Sequence, residues 1–170
     1  MKGSSIFWIK KKSRRSIMNT QVIVNSPNAI DVLITDHRKI GELFTDYLEL
    51  GEGDSRLKEK FAKFLRRDLL KYMIIQENVF FPFIATKITR GQDLIDEAIV
   101  AHVGFKELIA KLQNMSPDDE LFDATIKVLS QRFEIYVGDM ESCFFPLLKR
   151  SDIDLDELGV RMLKGAEKVD

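Results

Sequence analysis

An antiparallel up-down-up-down four-helix bundle, all-α and built from two helical-hairpin repeats plus a short C-terminal helix, is the fold this sequence predicts. Three observations carry it. One phrase occurs twice: residues 72–83 read YMIIQENVFFPF and residues 136–147 read YVGDMESCFFPL. In each copy a tyrosine stands ten residues before the proline of a Phe-Phe-Pro, and a glutamate five before it. Next, the only two histidines, His37 and His102, precede those tyrosines by 35 and 34 residues, as expected of one supersecondary unit used twice. Finally, apolar residues recur at helical spacing in four long stretches joined by short polar turns, and no period-two alternation suggests a sheet.

Taken in order, Ser26, Pro27 and Asn28 predict a helix start, a capping side chain followed by proline at the first helical position. Ile30, Leu33, Ile34, His37, Ile40, Phe44 and Leu48 then place His37 on the buried stripe of a helix ending near Gly51. Asp54 or Ser55 caps a second helix with the stripe Phe61, Leu65, Leu69, Tyr72, Gln76, Val79 and Phe83; Pro82 is expected to bend or end it, with Gly91 as a stop. Asp93, Asp96 and Glu97 put negative charge at the start of a third helix, where the backbone dipole favours it, and its stripe runs Leu94, Ala98, His102, Phe105, Ile109, Leu112.

Ser116, followed by Pro117, Asp118 and Asp119, is read as the start of a fourth helix presenting Leu121, Thr125, Leu129, Arg132, Tyr136, Met140, Cys143 and Leu147. Arg132 is out of character there and is expected to snorkel or to pair with Glu77 or Asp68. Asp36, beside His37, is expected to be a solvated acid. After Ser151, Leu155, Leu158, Met162 and Leu163 mark a fifth helix packed across the bundle. In such a bundle the first and third helices lie diagonally, so His37 and His102 face each other across the core and Tyr72 and Tyr136 take the other diagonal.

With 170 residues, 45% of them hydrophobic and 31% charged, the chain reads as one soluble domain over residues 26–170 behind a basic tail, 1–25, expected to be disordered. Residues 1–17 hold six cations and no acid; since the whole chain carries −1, the rest carries −7. An acidic body argues against nucleic acid as the main partner, whereas the tail can meet a membrane or an acidic partner. The apolar run Ile6, Phe7, Trp8, Ile9 is too short for a signal sequence or a membrane span. One cysteine, Cys143, forms no internal disulfide and is expected in the core, consistent with a cytoplasmic protein. Glycine-rich phosphate loops, cysteine clusters for zinc and Ser-His-acid patterns are all missing from the sequence.

Across residues 28–165, "DVLITDHRKIGELF" around His37, "AHVGFKELIAKL" around His102, and the paired "ENVFFP" and "ESCFFP" resemble the hemerythrin-like, or HHE cation-binding, family. That resemblance implies a first-helix histidine from each half, a histidine and a carboxylate four residues apart on each second helix, and a pair of iron atoms bridged by the carboxylates. Residues four apart lie about 40° apart around a helix and can reach the same ion. His37 and His102 match the first-helix ligands. Tyr72 and Tyr136 stand where the second-helix histidines belong, and Gln76 and Met140 where the bridging carboxylates belong. Glu77 and Glu141 come one residue later, roughly 140° from their tyrosines, and without a bulge they point elsewhere.

Three readings of this centre follow from the sequence. His37, His102, Tyr72 and Tyr136 bind one ferric ion, phenolate being a hard donor suited to iron(III), in a redox protein or an enzyme. Alternatively, the two histidines clasp a haem. In the third, the metal site has become a hydrogen-bonded core, and the bundle is a scaffold acting through the fifth helix or the tail. The function favoured is a binding or sensory module related to iron and oxygen handling, with the usual di-iron ligands mostly replaced; an enzyme or redox protein with iron or haem at the same core, and a metal-free scaffold for protein interaction, are the alternatives.

Overall fold

The computed structural model describes residues 27–51 and 54–169. Ser26 and the basic tail lie outside the described residues. Among the described residues seven helical segments follow one another: α1 (Ala29–Glu49), α2 (Ser55–Ile75), α3 (Phe81–Ile84), α4 (Gly91–Gln113), α5 (Phe122–Asp139), α6 (Phe145–Arg150) and α7 (Leu155–Ala166). A π-helical turn, Gln76–Phe80, joins α2 to α3 without a break, and a second, Met140–Phe144, joins α5 to α6. Five helices therefore result, and no strand occurs among the described residues. Helix α1 packs on α2 and α5, and α4 packs on α5 and α2, so α1 and α4 are diagonal as the sequence implied.

Helix starts follow side-chain chemistry, with three corrections. Asn28, rather than a residue before Pro27, caps α1: its Oδ1 accepts from the N–H of Ile30 at 2.9 Å and of Asp31 at 3.1 Å. Gly91 opens α4 instead of stopping α2. The chain turns at Arg90, whose φ is +59°, and a Cβ at Gly91 would lie 3.2 Å from the Ile88 Cβ and 3.3 Å from the Ala85 carbonyl oxygen. Ser116 starts a turn, closed by its N–H donating to Asp119 Oδ2 at 2.7 Å, and α5 begins only at Phe122. Asp54 caps α2 as expected, through Arg56 N–H at 2.8 Å.

Pro82 does not end its helix, and the π-turns explain how the chain passes it. In each turn the carbonyl of the first residue accepts from the residue five on, Phe81 N–H to Gln76 and Phe145 N–H to Met140. Pro82 and Pro146 then fall in the first turn of α3 and α6, where a missing N–H costs little. The widened turn holds one extra residue, so the buried stripe moves on by one. Phe80 and Ile84 are buried where Val79 and Phe83 were expected, and Phe144 and Leu148 where Cys143 and Leu147 were expected. Cys143 is exposed.

Helix α7 lies across α1, capped by Asp154, whose Oδ1 accepts from Glu157 N–H at 2.8 Å, and it buries Leu158 and Met162. Gly159 is the contact point. A Cβ there would come within 2.3 Å of the Pro27 carbonyl oxygen and 2.9 Å of Ala29 N, backbone atoms that cannot swing aside. Gly159→Ala is expected to cost about 2–3 kcal/mol in urea unfolding. An unchanged midpoint would show that α7 shifts freely on α1.

Candidate metal centre

Four side chains from four helices converge on the middle of the core: His37 from α1, Tyr72 from α2, His102 from α4 and Tyr136 from α5. Each histidine bonds to the tyrosine of its own hairpin. His37 Nε2 lies 2.7 Å from the Tyr72 hydroxyl, and His102 Nε2 lies 3.1 Å from that of Tyr136. Between the imidazoles the two tyrosine rings meet edge to face, their centroids 6.3 Å apart. Phe145 stacks on His37 with ring planes 2° apart, and Phe133 packs edge-on against both His37 and Tyr72. The space between the histidines is thus filled with aromatic rings, which a haem would have to displace.

Glu77 and Glu141 are where sequence reasoning and structure part. Both sit in the π-turns, which rotate them towards the opposite hairpin. Glu141 Oε1 accepts from His37 Nδ1 at 2.8 Å, and Glu77 Oε1 from His102 Nδ1 at 2.8 Å. The arrangement is reciprocal: each imidazole holds a phenol of its own half on Nε2 and a carboxylate of the other half on Nδ1. A carboxylate only accepts, so the hydrogen of each neutral imidazole is on Nδ1 and Nε2 presents a lone pair inward. Burial lowers both imidazole pKa values from the usual 6.5, although the glutamates work against it. Both rings are therefore neutral at pH 7.

The halves differ outside this core. Lys106 Nζ donates to both oxygens of Glu77, at 2.7 and 2.8 Å, whereas the Glu141 side chain is 46% exposed. Burial works to raise the Glu77 carboxyl, but Lys106 and His102 together hold it below the usual range. Inside, Gln76 and Met140 take equivalent places and are both buried, yet only Gln76 is polar. Tyr136 donates to Gln76 Oε1, and Gln76 Nε2 has no partner among the described residues. Tyr136 has one hydrogen for two acceptors, Gln76 Oε1 and His102 Nε2. Turning the amide over lets Gln76 donate to the Tyr136 oxygen, frees that hydroxyl for His102, and leaves an amide oxygen in place of the buried donor. Burial, above all, raises both phenol pKa values well above 10.

Arg132 takes one of its two expected routes, to solvent, while Asp36 behaves otherwise than expected. Arg132 pairs with neither Glu77 nor Asp68; it is exposed, its guanidinium lying over Gly104. Asp68 is held by Lys39 and Arg67 instead, at 3.0 and 2.8 Å. Asp36 is half-buried and lines a cavity of about 240 Å³ with Lys39, Asp68 and Tyr72. Burial pushes its carboxyl up to about 6, against Lys39 and Lys71 and with help from Asp68.

A raised carboxyl pKa favours the fold where both states are protonated, and that advantage is lost as pH rises through about 6. Asp36→Asn is therefore expected to stabilise the protein by about 1–2 kcal/mol at pH 8 and to leave it unchanged at pH 4, read from urea midpoints. Equal midpoints at pH 8 would mean that Asp36 ionises without penalty.

The sequence matches the family described as Hemerythrin HHE cation binding domain over residues 28–148. In three dimensions the chain is similar to the crystal structure of a Hemerythrin HHE cation binding domain-containing protein from Mycobacterium kansasii, with a TM-score of 0.73 and 18% identity over 84% of this chain and 87% of that one. Among curated proteins no sequence matches. Among the described residues no helix is long and apolar enough to cross a membrane. Two histidine helices, two glutamate-bearing π-turns ahead of Phe-Phe-Pro, and the sequence match over most of the bundle make one identification: this chain belongs to the hemerythrin HHE cation-binding domain family.

Proposed function

We propose that this chain is a binding or sensory module in which one hard cation, ferric iron first, takes the place of the family's iron pair, held by His37, His102, Tyr72 and Tyr136. The observation that carries the reading is the carboxylate on Nδ1 of each imidazole, which leaves both Nε2 lone pairs directed inward beside a phenol oxygen. Metal-ligating histidines are oriented in this way, and the carboxylate also raises their basicity.

An iron pair does not fit these residues. The bridging positions carry an amide, Gln76, and a thioether, Met140, while the glutamates lie behind the imidazoles. Neutral groups do not offset the charge of two iron ions. A single trivalent ion needs less: two phenolates supply charge, two imidazoles complete a four-donor set, and the Gln76 amide oxygen stands next to it.

Burial keeps the phenols protonated in the absence of a cation, so the ion that binds must be acidic enough to displace their hydrogens. Once bound, it supplies a redox-active or Lewis-acid centre. The chain's own contribution is to fix the imidazoles through Glu77 and Glu141, to present two phenol oxygens, and to exclude water with Phe105 and Phe133. A second reading, a metal-free scaffold, is favoured by one fact: among the described residues every inward nitrogen and oxygen of the centre already has a hydrogen-bond partner except one atom of the Gln76 amide.

Visible spectroscopy with metal analysis on protein from iron-supplemented cells decides between them. The expected result is a broad phenolate-to-iron band with about one iron per chain, abolished in the Tyr72→Phe/Tyr136→Phe variant. A sharp Soret band would replace the reading with haem, and about two irons per chain would restore the family pair. A colourless, metal-free and fully helical protein would leave the scaffold.

A further inference from the structure

The groove between α4 and α5 carries the two most exposed large apolar side chains among the described residues, Val100 at 72% and Ile135 at 67%. It encloses about 490 Å³, and small residues, Ala98 and Ala101, let a neighbour approach its floor. Its rim is charged and unspent: Arg132, Glu97 and Asp139 line it, and none has an ion pair or hydrogen bond among the described residues. Two acids beside one cation disfavour an anionic ligand. What the rim matches is itself.

Arg132 and Asp139 lie seven residues apart on α5, two helical turns or about 10 Å along one face, with Ile135 midway between them. A two-fold axis beside Ile135 running two α5 helices antiparallel lays each Arg132 against the partner's Asp139 and brings the two Ile135 side chains together. Such a contact is self-complementary, as an isologous interface must be, with apolar residues at its centre and charges at its edge.

We propose that a second copy of this chain docks on this groove, α5 against α5 in that register, to form a two-fold dimer. Tyr136 and Met140 also line the groove, so the dimer covers the solvent-facing approach to Tyr136. The inference stands apart from the proposed cation and holds for the metal-free protein.

The test is sedimentation velocity on the full chain over a concentration series, with Arg132→Asp, Asp139→Arg and their equimolar mixture. Like charges then face each other twice in either single variant, while the mixture restores opposite charges at both contacts. The wild-type chain is expected to dimerise with a Kd of about 1 µM, each single variant to be weakened at least about 100-fold, and the mixture to recover the dimer. Circular dichroism on each variant checks that these exposed substitutions leave the bundle folded. A wild-type monomer throughout the series overturns the proposal. A dimer that neither substitution weakens places the interface elsewhere, and loss without recovery on mixing overturns the register.

Discussion

Replacing Tyr72 and Tyr136 by histidine, together with Gln76 and Met140 by glutamate, is expected to raise the iron content to about two per chain. The four positions already face inward: Tyr72 and Tyr136 carry their hydroxyls to the two first-helix histidines, and Gln76 and Met140 are buried one turn further on. What they lack as a site for two ions is charge and nitrogen donors, and the four substitutions supply both. Glu77 and Glu141 are untouched and continue to orient His37 and His102.

Without metal the same variant should be less stable than the parent by about 3–5 kcal/mol, because two carboxyls then sit at positions that are 0% and 1% exposed, with no cation to offset them. Adding ferrous iron should reverse that loss and make the unfolding midpoint depend on iron concentration. Iron analysis and urea melts with and without chelator read both effects. A folded variant that holds no more iron than its parent would mean that the π-turns, and not side-chain identity, set how many ions the bundle takes.

The bundle was legible because its signals are local and repeated. Histidine helices at matching distances from two Tyr-to-Phe-Phe-Pro phrases define the hairpins, and apolar periodicity supplies each helix up to residue 75 or 139. Beyond those points a period of 3.6 gives the wrong face. A π-turn adds one residue to a turn without changing composition, so Val79, Cys143 and Leu147 read as core while Phe80, Phe144 and Leu148 are the core.

The same added residue hid the roles of Glu77 and Glu141. The sequence did hold a signal for them: a glutamate five before the proline persists in both halves, next to Gln76 in one and Met140 in the other. Identity held at the outer position and changed at the inner one points to a shared partner, which proves to be the imidazole of the opposite hairpin. Arg132 takes the route to solvent that the sequence offered as one of two. It follows the stripe of α5 by spacing, but Gly104 opens room for its guanidinium over α4, and a charged head takes such a route to solvent instead of entering the core.

The two histidines are equivalent by repeat, yet their removal is expected to be unequal, with His37→Ala costing about 4–5 kcal/mol and His102→Ala about 3 in the metal-free protein. Both changes delete a buried ring and leave a comparable void, which sets the common part. The difference lies in what each leaves behind. Without His102, Tyr136 keeps Gln76 and Glu77 keeps Lys106. Without His37, Glu141 is exposed enough to find water, but the Tyr72 hydroxyl, in a residue only 3% exposed, loses its acceptor at 2.7 Å, and the Tyr136 hydroxyl and Gln76 amide that also lie beside it are already bonded to each other.

A buried hydroxyl that has lost its best acceptor costs about 1–3 kcal/mol, and removing it should return that amount. Tyr72→Phe added to His37→Ala is therefore expected to recover about 1–2 kcal/mol, whereas Tyr136→Phe added to His102→Ala recovers nothing, because Gln76 then loses its partner in turn. Urea unfolding of the two double variants measures the contrast. Equal recovery in both halves would show that the amide of Gln76 serves the two phenols alike, and that the asymmetry between Gln76 and Met140 has no energetic consequence at the centre.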